Sequence, residues 1–581
     1  MVALVCAFSR IPPFSDSCIL LFNDLFFMSS IDWVVLIFTI TGIVGYGIHK
    51  GRGQKDIEGF LLAGKKLPWY HVLLSMMATQ ASAITFLSLP GQAYTDGMRF
   101  VQFYFGLPLA MIVLSATFFP VYQKLRVFTA YEYLEQRFDL KTRKLTALLF
   151  LLQRGISTGI SIYAPSIVLS TILNIDIRLT TILIGVLVII YTTYGGSKAV
   201  SYTQLLQMTI ITGTLLFAGI IIIYKLHDHI SFNDALTLAG KEGKMNIINF
   251  KFDWNDRYNV WSGIVGGFFL QLSYFGTDHS QVSRYLTAKS VSTGRSGLLI
   301  NGLLKVPMQF MILLIGVLVY IFFHFTAPPL LFNEQLKEYL QSPSAKEQFT
   351  SLEQKNNQLF TEKKNLVLSG ADLTEINAKL TIVKSEAVAL VKKNKKSSDT
   401  NDSNYIFLWF VMHHLPQGLI GLLVAVIFLA SMGSLSSGLN SLASCSVIDI
   451  YKRSIHIAGT DSSYLLASRY ATIIWGLFCI GAALLAGKMG NLIEVVNILG
   501  SLFYGTILGI FIVSFYVKKV KGNAVFYAAL LTELFVIYAW YYEIMAFLWL
   551  NVLGCMMVVV LSYIIELITN KKKTKKPFSE I

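Results

Sequence analysis

Ser75-Met76-Met77-Ala78-Thr79-Gln80-Ala81-Ser82-Ala83-Ile84-Thr85-Phe86, followed closely by Pro90-Gly91, is an apolar segment with a polar middle. Inside a membrane every backbone group must find a partner, so hydroxyls and amides at mid-depth with Pro-Gly beyond favour an interrupted helix with free carbonyls. Free carbonyls can bind a hard cation such as Na⁺. A second stretch complements the first. Ala430-Ser431-Met432-Gly433-Ser434-Leu435-Ser436-Ser437-Gly438-Leu439-Asn440-Ser441 sets Ser431, Ser434 and Ser437 three residues apart on one helical face. Such a stripe, facing an unwound helix, can complete an oxygen cage for a cation.

The rest of the chain supports a membrane setting. Of 581 residues, 54% are hydrophobic and 14% charged, against about 25% charged in soluble domains. The charges lie between long apolar runs, which excludes a soluble enzyme. A span needs about 20 apolar residues, and about thirteen such segments centre near residues 40, 82, 110, 158, 187, 214, 270, 310, 430, 476, 504, 533 and 558. The expected class is an all-α polytopic membrane protein in the plasma (cytoplasmic, or inner) membrane. Its partners are the lipid bilayer and small molecules; no obligatory protein partner is evident.

The 48 Lys and Arg against 33 Asp and Glu give a formal charge of +15. No basic face on a soluble domain points to nucleic acid, and positive cytoplasmic loops account for the excess. With the N-terminus outside, the connections His49 to Lys55, Lys124 to Lys144, Gly195 to Lys198, Arg284 to Arg295, Lys452 to Arg469 and Lys518 to Lys521 fall inside, and each is basic. The basic tail, residues 571–581, is then cytoplasmic and can rest on anionic headgroups. Residues 1–27 form an N-terminal extension without a basic n-region or cleavage site, and Met28 is the expected start, with a first span and loop over 28–58. A soluble excursion, about 326–404, falls outside; it is either a surface hairpin of helices without chemistry or a lid or partner-docking element. Cys445, Cys479 and Cys555, inside apolar runs, read as packing residues.

Other chemistries fail on their motifs. Gly64-Lys65-Lys66 and Gly240-Lys241 lack the Ser or Thr that follows the Lys of a phosphate loop, and His413-His414 lacks the Glu of a zinc protease helix. Gly155-Ile156-Ser157-Thr158-Gly159 matches a nucleophile elbow in letters only, because it lies inside a helical run. The chain is not expected to be an enzyme. Arg154 and Lys305 sit at apolar depth, where an unpaired charge is expensive, so each marks a substrate path or a buried partner.

At Gly59-Phe60-Leu61-Leu62-Ala63-Gly64-Lys65, Tyr191-Thr192-Thr193-Tyr194-Gly195-Gly196, Phe275-Gly276-Thr277-Asp278-His279, Arg284-Tyr285-Leu286-Thr287-Ala288-Lys289-Ser290, Leu439-Asn440-Ser441 and Asp449-Ile450-Tyr451, the chain resembles the sodium:solute symporter family. That family includes sodium-coupled glucose, monocarboxylate, vitamin, iodide and sialic acid carriers. The resemblance implies two inverted five-helix repeats with discontinuous helices, the leucine-transporter-like core, here 59–225 and 259–517. Residues 226–258 would form an extracytoplasmic loop, and 518–570 two accessory spans. It also implies Na⁺ as coupling ion and no organic cofactor.

Carried over by position, the family's sodium site falls on the carbonyls of Ala78, Ala81 and Ala430 and the hydroxyl of Ser434, with Ser431 and Ser437 as auxiliary oxygens. Gly433 stands where the family usually has a second hydroxyl, and Gln204 where it commonly has Asp, which favours one sodium per cycle. Tyr104 replaces a Glu of the sugar branch, and about Val496 replaces its Gln. Tyr163-Ala164-Pro165 and Leu415-Pro416-Gln417-Gly418-Leu419 resemble the monocarboxylate, vitamin and iodide branch. Ser82 and Thr85 resemble carboxylate contacts of sialic acid carriers, whose Arg aligns near Ser157, one turn from Arg154. Tyr274 resembles a gating aromatic. With Gln80 and Lys305, these residues are the expected substrate contacts. The implied function is sodium-coupled import of a carboxylate-bearing solute by alternating access; the alternatives are a neutral sugar symporter and, in another class, a channel or solute sensor on the same scaffold.

Overall fold

The computed structural model describes residues 28–51, 67–125, 127–340, 342–394, 400–487 and 489–574. The N-terminal extension and the Gly59 to Lys65 motif lie outside them. The described chain is helical, with one isolated bridge between Leu67 and Ala288.

The chain opens with α1 (Ser30–Gly51), α2 (Trp69–Gln80), α3 (Ala83–Asp96), a 3₁₀ turn (Gly97–Tyr104), α4 (Leu107–Ala116), α5 (Phe118–Leu125), α6 (Glu132–Arg137), α7 (Leu140–Leu173), α8 (Ile177–His227) and α9 (Phe232–Lys241). It continues with α10 (Gly267–Gly276), α11 (His279–Leu286), α12 (Val291–Phe322), α13 (Pro343–Ser369), α14 (Thr374–Asn394), α15 (Ile406–His414) and α16 (Leu419–Cys445). The final helices are α17 (Asp461–Ala486), α18 (Leu492–Tyr516), α19 (Gly522–Tyr541) and α20 (Phe547–Thr574).

Among the described residues, ten helical stretches are long and apolar enough to cross a membrane. The sequence points to about thirteen segments because it counts broken spans whole. Two of them, α2 with α3 and α10 with α11, are each split into halves near a single turn. A further pair lies within α8, whose backbone is helical over 51 residues. Twelve residues of straight helix rise about 18 Å, yet the Tyr191 hydroxyl lies 3.3 Å from Thr203 Oγ1. The helix is therefore not straight between them, in the stretch that holds the Gly195 to Lys198 connection.

One continuous apolar cluster runs through the bundle. Phe38, Leu303 and Leu534 point outward and are about two-thirds exposed or more, the pattern of helices whose outer faces meet lipid instead of water. Backbone contacts set the helices that frame the centre. A Cβ on Gly316 of α12 would lie 2.2 Å from the Pro90 carbonyl oxygen of α3, so only glycine permits that crossing. Asp32 of α1 accepts from the amides of Gly418 and Gly421, at 2.6 and 2.9 Å, fixing the start of α16 with a carboxylate at its positive end. The excursion is a hairpin of α13 and α14 with a small core of its own, including Leu336, Phe349, Val383 and Val391.

Candidate functional site

The first break falls at the polar middle of its segment, not at Pro90-Gly91: α3 runs on through Pro90. Ala81 and Ser82 leave helical geometry, with ψ of 74° and 173°. The Ser82 amide donates to Gln80 (3.0 Å) and the Thr85 amide to Ser82 (3.0 Å). In an unbroken helix those amides would serve Ala78 and Ala81. Both carbonyls are thereby released, and they are two of the expected sodium ligands.

Helices α2 and α3 pack against α16, which carries the other two. The Ser434 hydroxyl donates to the carbonyls of Ala430 (3.0 Å) and Ser431 (3.2 Å). With its proton directed along its own helix, its lone pairs remain able to ligate. The set is neutral oxygen throughout, which suits a monovalent hard cation. Ser431 donates to Ile427 (2.7 Å) and Ser437 to Gly433 (2.8 Å).

The two departures from the family pattern are neighbours in space. Gln204, fully buried on α8, donates through Nε2 to Thr79 Oγ1 (3.2 Å), the Gly433 carbonyl (3.2 Å) and Ser437 Oγ (3.0 Å), while its Oε1 accepts from Ser75 (2.5 Å). A neutral amide thus ties α2, α8 and α16 together through oxygens that would otherwise face a carboxylate. A Cβ on Gly433 would stand 2.6 Å from Gln207 Oε1, so the missing hydroxyl goes with the glutamine beside it.

The second break, at Thr277 and Asp278, is held by the Asp278 carboxylate. One oxygen accepts from the amide and hydroxyl of Ser280 (2.8 and 2.6 Å). The other accepts from the Tyr504 hydroxyl (2.7 Å) and faces Arg154 Nη1 at 3.6 Å. Arg154 is therefore already partnered, though its Nε has no acceptor among the described residues.

Between the breaks lies a cavity with about 100 Å³ open to the centres of water-sized molecules. Gln80, Ser82, Thr85, Tyr104, Arg154, Ser157, Tyr274 and Lys305 all line it. Sequence reasoning missed Gln153, Gln271, Asn497 and Tyr504, which line it too. The rule that singled out Arg154, a polar group at apolar depth, would have found the amides had it been applied to them. Gln80 Oε1, Gln153 Oε1, Gln271 Oε1 and Asn497 Nδ2 are buried without a partner among the described residues, a costly state that a polar ligand relieves. Lys305 is 1% exposed, and among the described residues no neighbouring charge acts on it.

A polar, mid-bundle cavity flanked by two broken helices defines a membrane transporter that binds its solute inside the bundle. Residues 60–332 and 376–532 match the family described as the sodium:solute symporter family, and the chain belongs to it. The sodium/sialic acid symporter SiaT of Proteus mirabilis is 25% identical over 91% of this chain and 93% of its own length. Human sodium-coupled monocarboxylate transporter 1 is 28% identical over 83% of this chain and 68% of its own. The solved substrate-bound outward-open state of a Na⁺-coupled sialic acid symporter superposes with a TM-score of 0.73 at 22% identity, covering 93% of this chain and 98% of that one.

Proposed function

We propose that this chain couples inward Na⁺ flow to the import of a small organic solute bearing a carboxylate. The observation that carries the solute class is Lys305: a buried amine facing the cavity with no counter-charge among the described residues, beside an Arg154 whose charge Asp278 only partly meets at 3.6 Å. A buried unpaired charge is expensive, and an incoming carboxylate supplies the missing partner. A neutral sugar would leave it unmet. The relatives named for sialic acid and monocarboxylate transport support the same class.

Ala78, Ala81, Ala430 and Ser434 are the residues suited to hold Na⁺, which would bridge the first break to α16. Na⁺ in that place favours the state open to the outside, solute permits closure, and loss of the bridge on the inner side lets both leave. Solute binding thereby depends on the ion without any covalent step. Gln204 supports one Na⁺ per cycle, since its amide already satisfies Thr79, Ser437 and Gly433. Basic connections support a C-terminus in the cytoplasm, an N-terminus outside the plasma or inner membrane, and an α13–α14 hairpin on the outer face.

Equilibrium binding of labelled N-acetylneuraminate, lactate and glucose to the purified full chain tests this reading, in NaCl and in choline chloride. Binding of an acid in NaCl alone is expected; binding of glucose alone would overturn the solute class.

A further inference from the structure

A second cavity, with about 500 Å³ open to the centres of water-sized molecules, lies between the hairpin and the bundle. Its floor is aromatic: the Tyr94 ring stands 5.2 Å from Tyr320, 6.1 Å from Phe323 and 5.8 Å from Phe332. Its wall is basic. Lys244 Nζ lies 4.5 Å and Lys363 Nζ 5.7 Å from the centre of the Tyr320 ring.

The nearby carboxylates are committed elsewhere. Glu242 accepts from His324 Nε2 at 2.8 Å and from the Tyr320 hydroxyl. Asp402 accepts from the amides of Phe332 and Asn333, both at 3.2 Å, and pairs with Lys384 at 3.0 Å. Lys244 donates to the Thr95 carbonyl, and Asp96 and Glu242 act on it through space. Among the described residues Lys363 has neither a hydrogen bond nor an ion pair, yet it is only 7% exposed and lines the cavity. Two ammonium groups thus share one tyrosine ring. Ring faces attract cations weakly, and Glu242 offsets the repulsion of the pair without an ion pair to either, so an anion seated between the two ammonium groups gains from both.

Lys363 and the neighbouring Phe360 belong to α13, within residues 333–375 that the family match omits. Helix α3 links the two cavities: Ser82 and Thr85 border the central one and Tyr94 this one, and the nine residues from Thr85 to Tyr94 rise about 14 Å.

We propose that this cavity is a second, sodium-independent binding site for an organic carboxylate, its charge held by Lys363 and Lys244 and its apolar body seated on the aromatic floor. The site rests on the carboxylate reading of the central cavity. It collects solute at the mouth of the path, so occupancy matters most when solute is scarce. Burial, reinforced by the charge of Lys244, holds the Lys363 ammonium below its ordinary 10.5 despite the opposing pull of Glu242.

The test is amine acetylation of the full chain in lipid nanodiscs at pH 8.5 without Na⁺, quantified at Lys363 by peptide mass spectrometry. Benzoate is the probe and benzamide its uncharged counterpart. Benzoate is expected to slow Lys363 acetylation several-fold, benzamide is not, and the protection persists in Ser434→Ala, which weakens only the central ion site. Equal labelling with and without benzoate, or equal protection by benzamide, overturns the proposal. A Lys244→Gln variant, which leaves Lys363 to report, is expected to lose most of the protection; undiminished protection there would also overturn it. Failure of Na⁺-driven uptake of any acid by the unaltered chain would refute the central reading alone, because the acetylation assay contains no Na⁺.

Discussion

Lys305→Met separates a solute-binding role from a structural one, because the two predict opposite signs. In the unliganded chain Lys305 is a buried amine with no charged partner among the described residues, and a lysine at mid-span costs about 2.5–3.5 kcal/mol on insertion scales. Its removal should raise the unfolding temperature of the sodium-loaded, solute-free protein. With solute present the sign reverses. A hydrogen bond to a charged group contributes about 1.5–3 kcal/mol, and at about 1.4 kcal/mol per factor of ten the variant should lose roughly ten- to 150-fold in affinity for an acid. The assay is concentration-dependent Na⁺-driven uptake in proteoliposomes, paired with thermal unfolding in detergent. Lys305→Arg, which keeps the charge, should retain more affinity than Met. An unchanged KM in Lys305→Met, or a variant that melts lower while transporting normally, would refute the reasoning.

Ser434→Ala removes a hydroxyl from the sodium set and should raise the Na⁺ concentration for half-maximal uptake by about tenfold, for a contribution near the low end of charged hydrogen bonds; an unshifted Na⁺ curve would exclude Ser434 as a ligand. Asp278→Asn takes the counter-charge from Arg154 and an acceptor from Ser280 and Tyr504, and should cost about 3–5 kcal/mol in unfolding free energy; near-wild-type stability would show that the 3.6 Å contact carries little. Burial alone would raise the Glu242 carboxyl, but hydrogen bonds from His324 and Tyr320, with the charge of Lys363, hold it below its ordinary 4.5. The stability this contributes is present above about pH 4.5 and lost as pH falls through the folded-state value, so the melting difference between wild type and Glu242→Gln should hold from pH 7 to about pH 4.5 and shrink below it. A difference that stayed constant would contradict that assignment.

What the sequence made legible was local. Ser75 to Thr85 announces a broken helix because polar groups at mid-span need an unwound backbone, and the break falls among them. Proline misled by position: Pro90 is carried inside α3, where Gly316 of α12 lets the two backbones meet. Ser431, Ser434 and Ser437 were readable from helical periodicity alone. The partner of Arg154 was not, since Asp278 lies 124 positions away and only the packing of α7 against α18 and the second break brings them together. Gln204 and Gly433 looked like separate departures from a family pattern; in three dimensions they touch, the Gln204 amide donating to the Gly433 carbonyl, with Gln207 Oε1 2.6 Å from where a Cβ on Gly433 would stand. The hairpin was visible as a polar excursion, but not that Lys363 turns inward from it over Tyr320, because one lysine among many in a helix-forming stretch carries no signal of burial.

The central claim is coupling of an acid to sodium at this pair of sites. Uptake of labelled N-acetylneuraminate, lactate and glucose into proteoliposomes, with and without an inward Na⁺ gradient, tests it most directly. Accumulation of an acid that requires the gradient and is weakened by both Ser434→Ala and Lys305→Met is the predicted result. Solute flux indifferent to Na⁺, or gradient-driven accumulation of glucose alone, would contradict it.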